Sequence, residues 1–313
     1  MSYSFIGFFG SKGKGKSTQM FRMRDEYVKQ SKQFKYDLNN PFILNGPITH
    51  TYFVSPTLQF DKTFKKNDNN DTIQVEGTKD NILELVQKIR DMKKELQPVM
   101  ELQLQVREFF KKSKNLSQTL DRQTAILVVN VLKQIENIKQ KYPELIIDET
   151  DKDIISNLKE FYSLLEGKAI LSFIRMPKII LILDDMSSCS LFCQVQENEF
   201  YKMIIQQRHL NIFAVFIAAH EMSTLYSAFK TQLTGFLLFQ GINYEKMKDY
   251  FSQVQELQSD YFSMTDFMNL YKYKICAAHE KNDVEKQKYV HKFLYVVICP
   301  TSKVYEGFSN RLK

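Results

Sequence analysis

The chain has 313 residues, 43% of them hydrophobic and 25% charged, enough for one large domain with an insertion or for two modest ones. Its 43 basic and 36 acidic side chains leave a net charge of +7, a mild excess that permits an anionic partner such as nucleic acid without requiring one. No apolar run approaches the ~20 residues that span a bilayer, and the opening MSYSFIGFFG is too short and too uncharged for a secretory signal, so no membrane association is expected and the cell interior is the expected location.

In chain order, Tyr3 to Phe9 predicts a strand that ends at Gly10, and a loop rich in Gly and Lys then runs into a helix from Ser17. Thr51 to Val54 predicts a second strand, stopped at Ser55-Pro56 because proline cannot continue an interior strand. Thr72 to Glu76 alternates and predicts a third. From Thr78 to about Lys168 the period turns helical. Ile82, Leu85, Ile89, Met92, Leu96 and Val99 step by three and four, a seam interrupted at Pro98. Val128, Val131, Ile135, Ile138 and Tyr142 repeat the stepping, and Ile154, Leu158, Phe161 and Leu165 form a third stripe. Lys111 to Ser117 is a polar break between the first two. Residues 78–168 thus read as a helical insertion into a core made of 1–77 and 169–313, or equally as ordinary helices packed on that core.

Short runs then return. Lys178 to Leu183 predicts a buried strand, Asn198 to His209 a helix, Ile212 to Ala219 another buried strand, Met222 to Thr231 a helix, Gly235 to Phe239 a strand, and Phe293 to Ile298 a terminal strand. Strands alternating with helices predict an α/β fold with a mostly parallel sheet covered on both faces. The four cysteines, Cys189, Cys193, Cys276 and Cys299, have neither disulfide-framework nor zinc-site spacing and read as reduced, inert thiols.

Two segments carry chemistry. GSKGKGKS matches the phosphate-loop pattern G-x-x-x-x-G-K-[ST], with Gly10, Gly15, Lys16 and Ser17 in the fixed places. Gly15 lets the backbone bend so that successive N–H groups turn toward phosphate oxygens, and the helix that follows adds its positive end. Lys16 would reach the β- and γ-phosphates, and the Ser17 hydroxyl would ligate Mg²⁺. The expected nucleotide contacts are Gly10, Ser11, Lys12, Gly13, Lys14, Gly15, Lys16, Ser17 and Thr18. KIILILDD supplies the acids such a loop needs: Asp184 would hold the metal through water, and Asp185 would orient or deprotonate an attacking water. The absence of an N-K-x-D segment favours ATP over GTP. An insertion rich in lysine and poor in arginine argues against a small-molecule kinase lid.

The ordered set GSKGKGKST, TYFVSPTLQFDKTF, KIILILDDMS and QQRHLNIFAVFIAAH resembles the genome-packaging ATPases of large DNA viruses, virophages and Maverick/Polinton elements, in the FtsK–HerA division of P-loop ATPases. The distinctive pieces are Ser55-Pro56-Thr57 with Asp61, and Arg208-His209 with Asn211; the resemblance covers roughly residues 3–61 and 178–240. It implies a RecA-like P-loop core and an ATP- and Mg²⁺-dependent homo-oligomeric ring. Such a ring would drive double-stranded DNA, gripped without regard to sequence, into a capsid and would work beside a capsid or portal protein in a host cell, viral factory or virion. By position it assigns Lys16 and Asp185 to catalysis and Ser17 and Asp184 to the metal. Where the family commonly has a γ-phosphate-sensing glutamine this chain has His220, which either takes over that role or is a structural strand-end residue. Where an arginine often follows, Lys230 stands, and Arg208 is another candidate for action across subunits. Lysines at 62, 65 and 66, or at 111, 112 and 114, are candidates for DNA contact or simply solvated faces. Another P-loop ATPase, helicase-like or AAA-type, and a weakly catalytic nucleotide-binding ring partner remain alternatives. RecA-like sheets place a strand between the loop strand and the acid strand, whereas direct adjacency marks the kinase–GTPase division.

Overall fold

Five of the strands are buried at every residue, as strands covered on both faces of a sheet are. They are β1 (Ser4–Phe9), β2 (His50–Ser55), β4 (Ile179–Leu183), β5 (Ile212–Ala219) and β6 (Gly235–Leu238). β3 (Thr72–Glu76) lies at one end of the sheet and alternates, with Gln74 and Glu76 exposed. Three short strands complete the other end: β7 (Leu294–Val297), β8 (Lys303–Glu306) and β9 (Asn310–Arg311). The computed structural model describes residues 3–33, 47–57, 72–112, 126, 130, 133–134, 136–138, 140–142, 176–186, 189, 191, 198–253, 263–276, 293–298, 303–306 and 310–311.

The nine strands form one sheet in the order β3-β2-β4-β5-β1-β6-β7-β8-β9. Pairing is parallel from β3 to β6 and antiparallel from β6 onward. One strand, β5, therefore separates the loop strand β1 from the acid strand β4, the order of the RecA-like division. The predicted α/β class and RecA-like core are both present. The chain's last strands differ from expectation: Phe293–Ile298 is not terminal, because β7 turns into two further antiparallel strands whose few residues carry little apolar signal.

Helix α1 (Lys16–Ser31) follows the loop and packs on the sheet through aromatic rings, Phe21 against Phe53 at 5.2 Å and Tyr27 against Phe213 and Phe216 at 5.7 and 5.6 Å. Helix α2 (Lys79–Lys112) runs unbroken through Pro98 and ends within the predicted polar break, whose residues 113–117 lie outside the described set. Pro98 is exposed, so the carbonyl one turn earlier that loses its donor faces water, and the helix survives. Its predicted seam is buried at Ile82, Leu85, Ile89, Met92, Leu96 and Val99. α3 (Glu199–Ile205), N-capped by Asn198, stops four residues before the expected end; the Gln206–Asn211 turn replaces its last turn. Between β5 and β6 the predicted helix is reduced to a 3₁₀ turn at Met222–Thr224 and the single turn α4 (Ser227–Lys230). After β6 come a 3₁₀ turn at Tyr244–Lys246, then α5 (Met247–Ser252), α6 (Met264–Leu270) and a π-helical turn at Tyr271–Cys276. No helix among the described residues is long and apolar enough to cross a membrane.

The chain divides into two compact units. One comprises Met1–Gln30, His50–Val86 and Ile179–Lys313 and contains the whole sheet; the other comprises Ser31–Thr49 and Gln87–Lys178. In the second unit Ile138 and Tyr142 are buried, and Lys141 pairs with Glu95 at 2.5 Å. The stripe at 154, 158, 161 and 165, and positions 128, 131 and 135 of the preceding one, lie outside the described residues.

Lys178 is 3% exposed, and its backbone N–H donates to Thr49 Oγ1 at 3.0 Å. Burial pushes its ammonium down to about 8, against 10.5 ordinarily. The unfolded chain thus holds this proton between about pH 8 and 10.5 while the folded chain has released it, so stability rises with pH across that window, and below it the buried charge costs stability. Lys178→Met is expected to lack that rise, as read by urea unfolding at pH 7, 8.5 and 9.5. An unchanged slope would refute the assignment.

Candidate nucleotide-binding site

The parallel register aligns three strand ends. Phe9 at the end of β1 pairs with Ala219 at the end of β5, and Leu183 at the end of β4 pairs with Ile217. Each chain then leaves the sheet at the carboxyl edge, where open α/β sheets bind ligands. Gly10, His220 and the pair Asp184-Asp185 are the first residues beyond those ends. The Gly10 N–H donates to the His220 carbonyl at 3.1 Å, and the Asp184 N–H to the Val54 carbonyl at 2.9 Å, so loop and acids are each tied to a neighbouring strand end.

Residues 11–15 form the loop itself. Gly15 has φ +88°, a left-handed conformation that the fixed glycine of the pattern supplies without strain. Helix α1 starts directly after it, with the Gln19 N–H donating to the Gly15 carbonyl at 3.0 Å. The first-turn amides of Lys16, Ser17 and Thr18 have no acceptor within a helix, which is what makes such a terminus receptive to anions. Lys12 and Gly13 are exposed; Ser11, Lys14, Gly15, Lys16, Ser17 and Thr18 are half-buried. The Lys16 ammonium donates to the carbonyls of Gly10 (2.7 Å) and Ser11 (3.0 Å), inside the curl of the loop. Burial lowers its pKa, an effect that Asp184 and Asp185 oppose by their charge.

The Ser17 hydroxyl donates to Asp184 Oδ2 at 2.5 Å, although 167 residues separate them. Asp184 is 6% exposed. A hydroxyl and a carboxylate oxygen side by side form the hard donor pair that a magnesium ion takes from a protein when phosphate and water complete its octahedron, so these residues fit that ion. No cluster of three His, Cys, Asp or Glu side chains among the described residues could hold a metal by itself, and neither Cys189 nor Cys276 is in a disulfide. Asp185 has φ +53°, a left-handed conformation that aspartate tolerates better than most residues. The turn brings its Oδ1 to 3.9 Å from His220 Nε2, and both side chains are about half exposed.

Other residues singled out in the sequence lie elsewhere. Arg208 sits before β5, at the sheet edge opposite the loop, with its guanidinium 5.6 Å from the Tyr3 ring centroid and its carbonyl accepting from the Tyr3 hydroxyl at 3.1 Å. Asn211 takes φ +59°, the left-handed turn that launches β5, and its carbonyl accepts from the Ile179 N–H. The R-H-x-N segment thus has a local structural task, fixing the start of β5. Lys230 follows Phe229, whose ring packs on Phe5 near the start of β1, so it too is remote from the loop within one molecule. Ser55 is buried and accepts from the Thr57 N–H at 3.2 Å; the lysines at 62, 65, 66 and 114 and the side chains of 111 and 112 are outside the described set.

A second wall of the site was missed by sequence reasoning. The loop after β6 lies against the start of the phosphate loop: the Ser11 N–H donates to the Gln240 carbonyl (3.1 Å) and its hydroxyl to the Gly241 carbonyl (3.2 Å). The one available clue was a glycine two residues past an apolar strand.

A glycine-bent loop after a central parallel strand, with a buried acid one strand away touching the loop's terminal serine, is the architecture of a RecA-like P-loop core, and this chain has that fold. No family model and no curated protein matches it. Among solved structures it is similar to the genome-packaging NTPase B204 of Sulfolobus turreted icosahedral virus 2 in complex with ATP-gammaS, at 10% identity and a TM-score of 0.39 over 96% of each chain. It is also similar to EssC (ATPases 2 and 3) of Geobacillus thermodenitrificans, at 14% identity and a TM-score of 0.37, covering 79% of this chain and 34% of that one. A third is the cytoplasmic domain of the type VII secretion ATPase EccC of Thermomonospora curvata, at 13% identity and a TM-score of 0.34, covering 77% of this chain and 21% of that one. The chain therefore spans about a third of EssC and a fifth of EccC.

Gly241 has φ +95°, and a Cβ there would lie 1.9 Å from Ser11 Oγ. Gly241→Ala is expected to cost about 1–3 kcal/mol in urea unfolding through backbone strain and displaced Ser11, and to weaken ATP binding measured by calorimetry. Wild-type stability and affinity together would show that the two loops do not depend on each other.

Proposed function

We propose that the chain is an ATPase whose hydrolysis of ATP, with Mg²⁺, drives double-stranded DNA of a virus or mobile element into a capsid, as a homo-oligomeric ring acting beside a capsid or portal protein. The observation that carries the nucleotide part is the contact between Ser17 and Asp184, which joins the two chemistry-bearing motifs. The DNA part rests on the sequence resemblance and on the basic excess.

In this reading the loop amides from Ser11 to Thr18 bind the phosphates, and Lys16 exchanges its bonds with Gly10 and Ser11 for the β- and γ-phosphate oxygens. Ser17 and Asp184 would hold the metal ion, which would neutralise phosphate charge. Asp185 orients the attacking water and accepts its proton; its exposed carboxylate leaves room for that water. His220, within reach of Asp185, donates a hydrogen bond to the water or the γ-phosphate. Residues 78–168 are proposed as an accessory helical insertion of the 1–77 and 169–313 core.

ATP turnover, measured with and without duplex DNA on protein sized by light scattering, tests the reading. Wild type is expected to assemble and to hydrolyse faster with DNA. Asp185→Asn should lose roughly 100-fold or more in rate while its ATP affinity stays within about threefold; Lys16→Ala should lose binding. Equal turnover in wild type and Asp185→Asn would sink the hydrolytic assignment, and a DNA-indifferent monomer would sink the packaging one.

A further inference from the structure

Gly10 and Ser11, the first residues of the phosphate loop, lean on two different loops through their backbone N–H groups. Gly10 bonds the His220 carbonyl after β5, and Ser11 bonds the Gln240 carbonyl after β6. Each of these loops is in turn gripped by one buried tyrosine from the C-terminal helices. The Tyr250 hydroxyl, on α5, accepts from the Met222 N–H at 2.8 Å, two residues past His220. The Tyr271 hydroxyl, at the start of the π-helical turn, donates to the Phe239 carbonyl at 2.7 Å and accepts from the Ile242 N–H at 3.0 Å, bridging the bend that contains Gln240 and Gly241.

Both rings are enclosed. Tyr250 is 1% exposed and packs on Phe9 at 5.4 Å, the residue that precedes Gly10; Tyr271 is 0% exposed. Burial raises both phenol pKa values well above the usual tyrosine range, so neither hydroxyl loses its proton at working pH. Any buried hydroxyl must find a partner. These two find theirs in the loops that hold adjacent residues of the nucleotide loop.

We propose that Tyr250 and Tyr271 are positioning residues of the nucleotide site: Tyr271 acts through residues 239–242 on Ser11, and Tyr250 through residues 220–222 on Gly10 and His220. The proposal rests on the nucleotide-hydrolysing reading above. Neither hydroxyl touches the nucleotide; each sets where a loop stands. The phosphate amides are thereby held in place before ATP arrives, so less ordering is needed on binding.

Tyr271→Phe and Tyr250→Phe test it, with Tyr27→Phe as control. The Tyr27 hydroxyl also pairs inside the fold, with Ser4 Oγ at 2.9 Å, but at the opposite edge of the sheet. Amide exchange of nucleotide-free protein gives a readout independent of ATP: Tyr271→Phe is expected to speed exchange at Ser11 and Ile242, and Tyr250→Phe at Gly10 and Met222. In kinetics, Tyr271→Phe is expected to raise the KM for ATP about tenfold and to change kcat by less than about threefold. Tyr250→Phe is expected to lower kcat more than it raises KM, because its loop carries His220. Tyr27→Phe is expected to lose a similar amount of melting temperature with KM and kcat unchanged. Wild-type exchange and KM in Tyr271→Phe, or an equal KM shift in Tyr27→Phe, overturns the proposal alone. A wild type that takes no ATP overturns the nucleotide reading and this proposal together.

Discussion

Parallel pairing of β1, β5 and β4 is the constraint on which the site depends. It brings three chain exits to one edge of the sheet and places a single strand, β5, between the strand of the phosphate loop and the strand of the acids. Strands in a sheet lie about 4.8 Å apart, so with β5 between them β1 and β4 are about 9.6 Å apart, and the Ser17 hydroxyl and the Asp184 carboxylate meet only if both segments lean toward the intervening strand. They do: Gly10 is bonded to His220 at the end of that strand, and Asp185 turns through a left-handed conformation toward the same histidine. β5 supplies no phosphate loop of its own, yet its carboxyl end is the hinge between the two halves of the chemistry.

Much of this was legible because the signal is local. A loop of fixed spacing between a strand and a helix, and an apolar strand ending in acids, are determined by residues within ten positions of one another, and both appear where the sequence put them. Strands buried on both faces favour continuous apolar runs, so β4 and β5 could be read directly. Helix ends and short helices were read less well. The stretch 222–231 has helical spacing but packs as a 3₁₀ turn and one α turn, because Phe229 must reach Phe5 and Thr234 must bond the Phe5 backbone. Pro98 reads as an interruption on propensity alone, and only its exposure shows that the helix can pass through it.

The C-terminal third carried no recognisable motif because its work is done by side chains whose partners are backbone atoms. A tyrosine that bonds a carbonyl and an N–H leaves no pattern in the residues it bonds, since every residue has both groups. Tyr250 and Tyr271 are ordinary tyrosines in sequence and become informative only when Met222, Phe239 and Ile242 are seen beside them. In the same way the local partners of Arg208 and Asn211, the Tyr3 ring and the left-handed turn before β5, have no pattern in the sequence.

Among the described residues the sheet is open, and its two rims are β3 and β9. Unpaired strand rims invite other chains to add on and begin fibrillar growth. Here, among the described residues, one rim is β3, with Gln74 and Glu76 turned to water, and the other is β9, two residues long and ending in Arg311. Glu76 on one rim and the brevity of the other give an incoming strand little to lengthen.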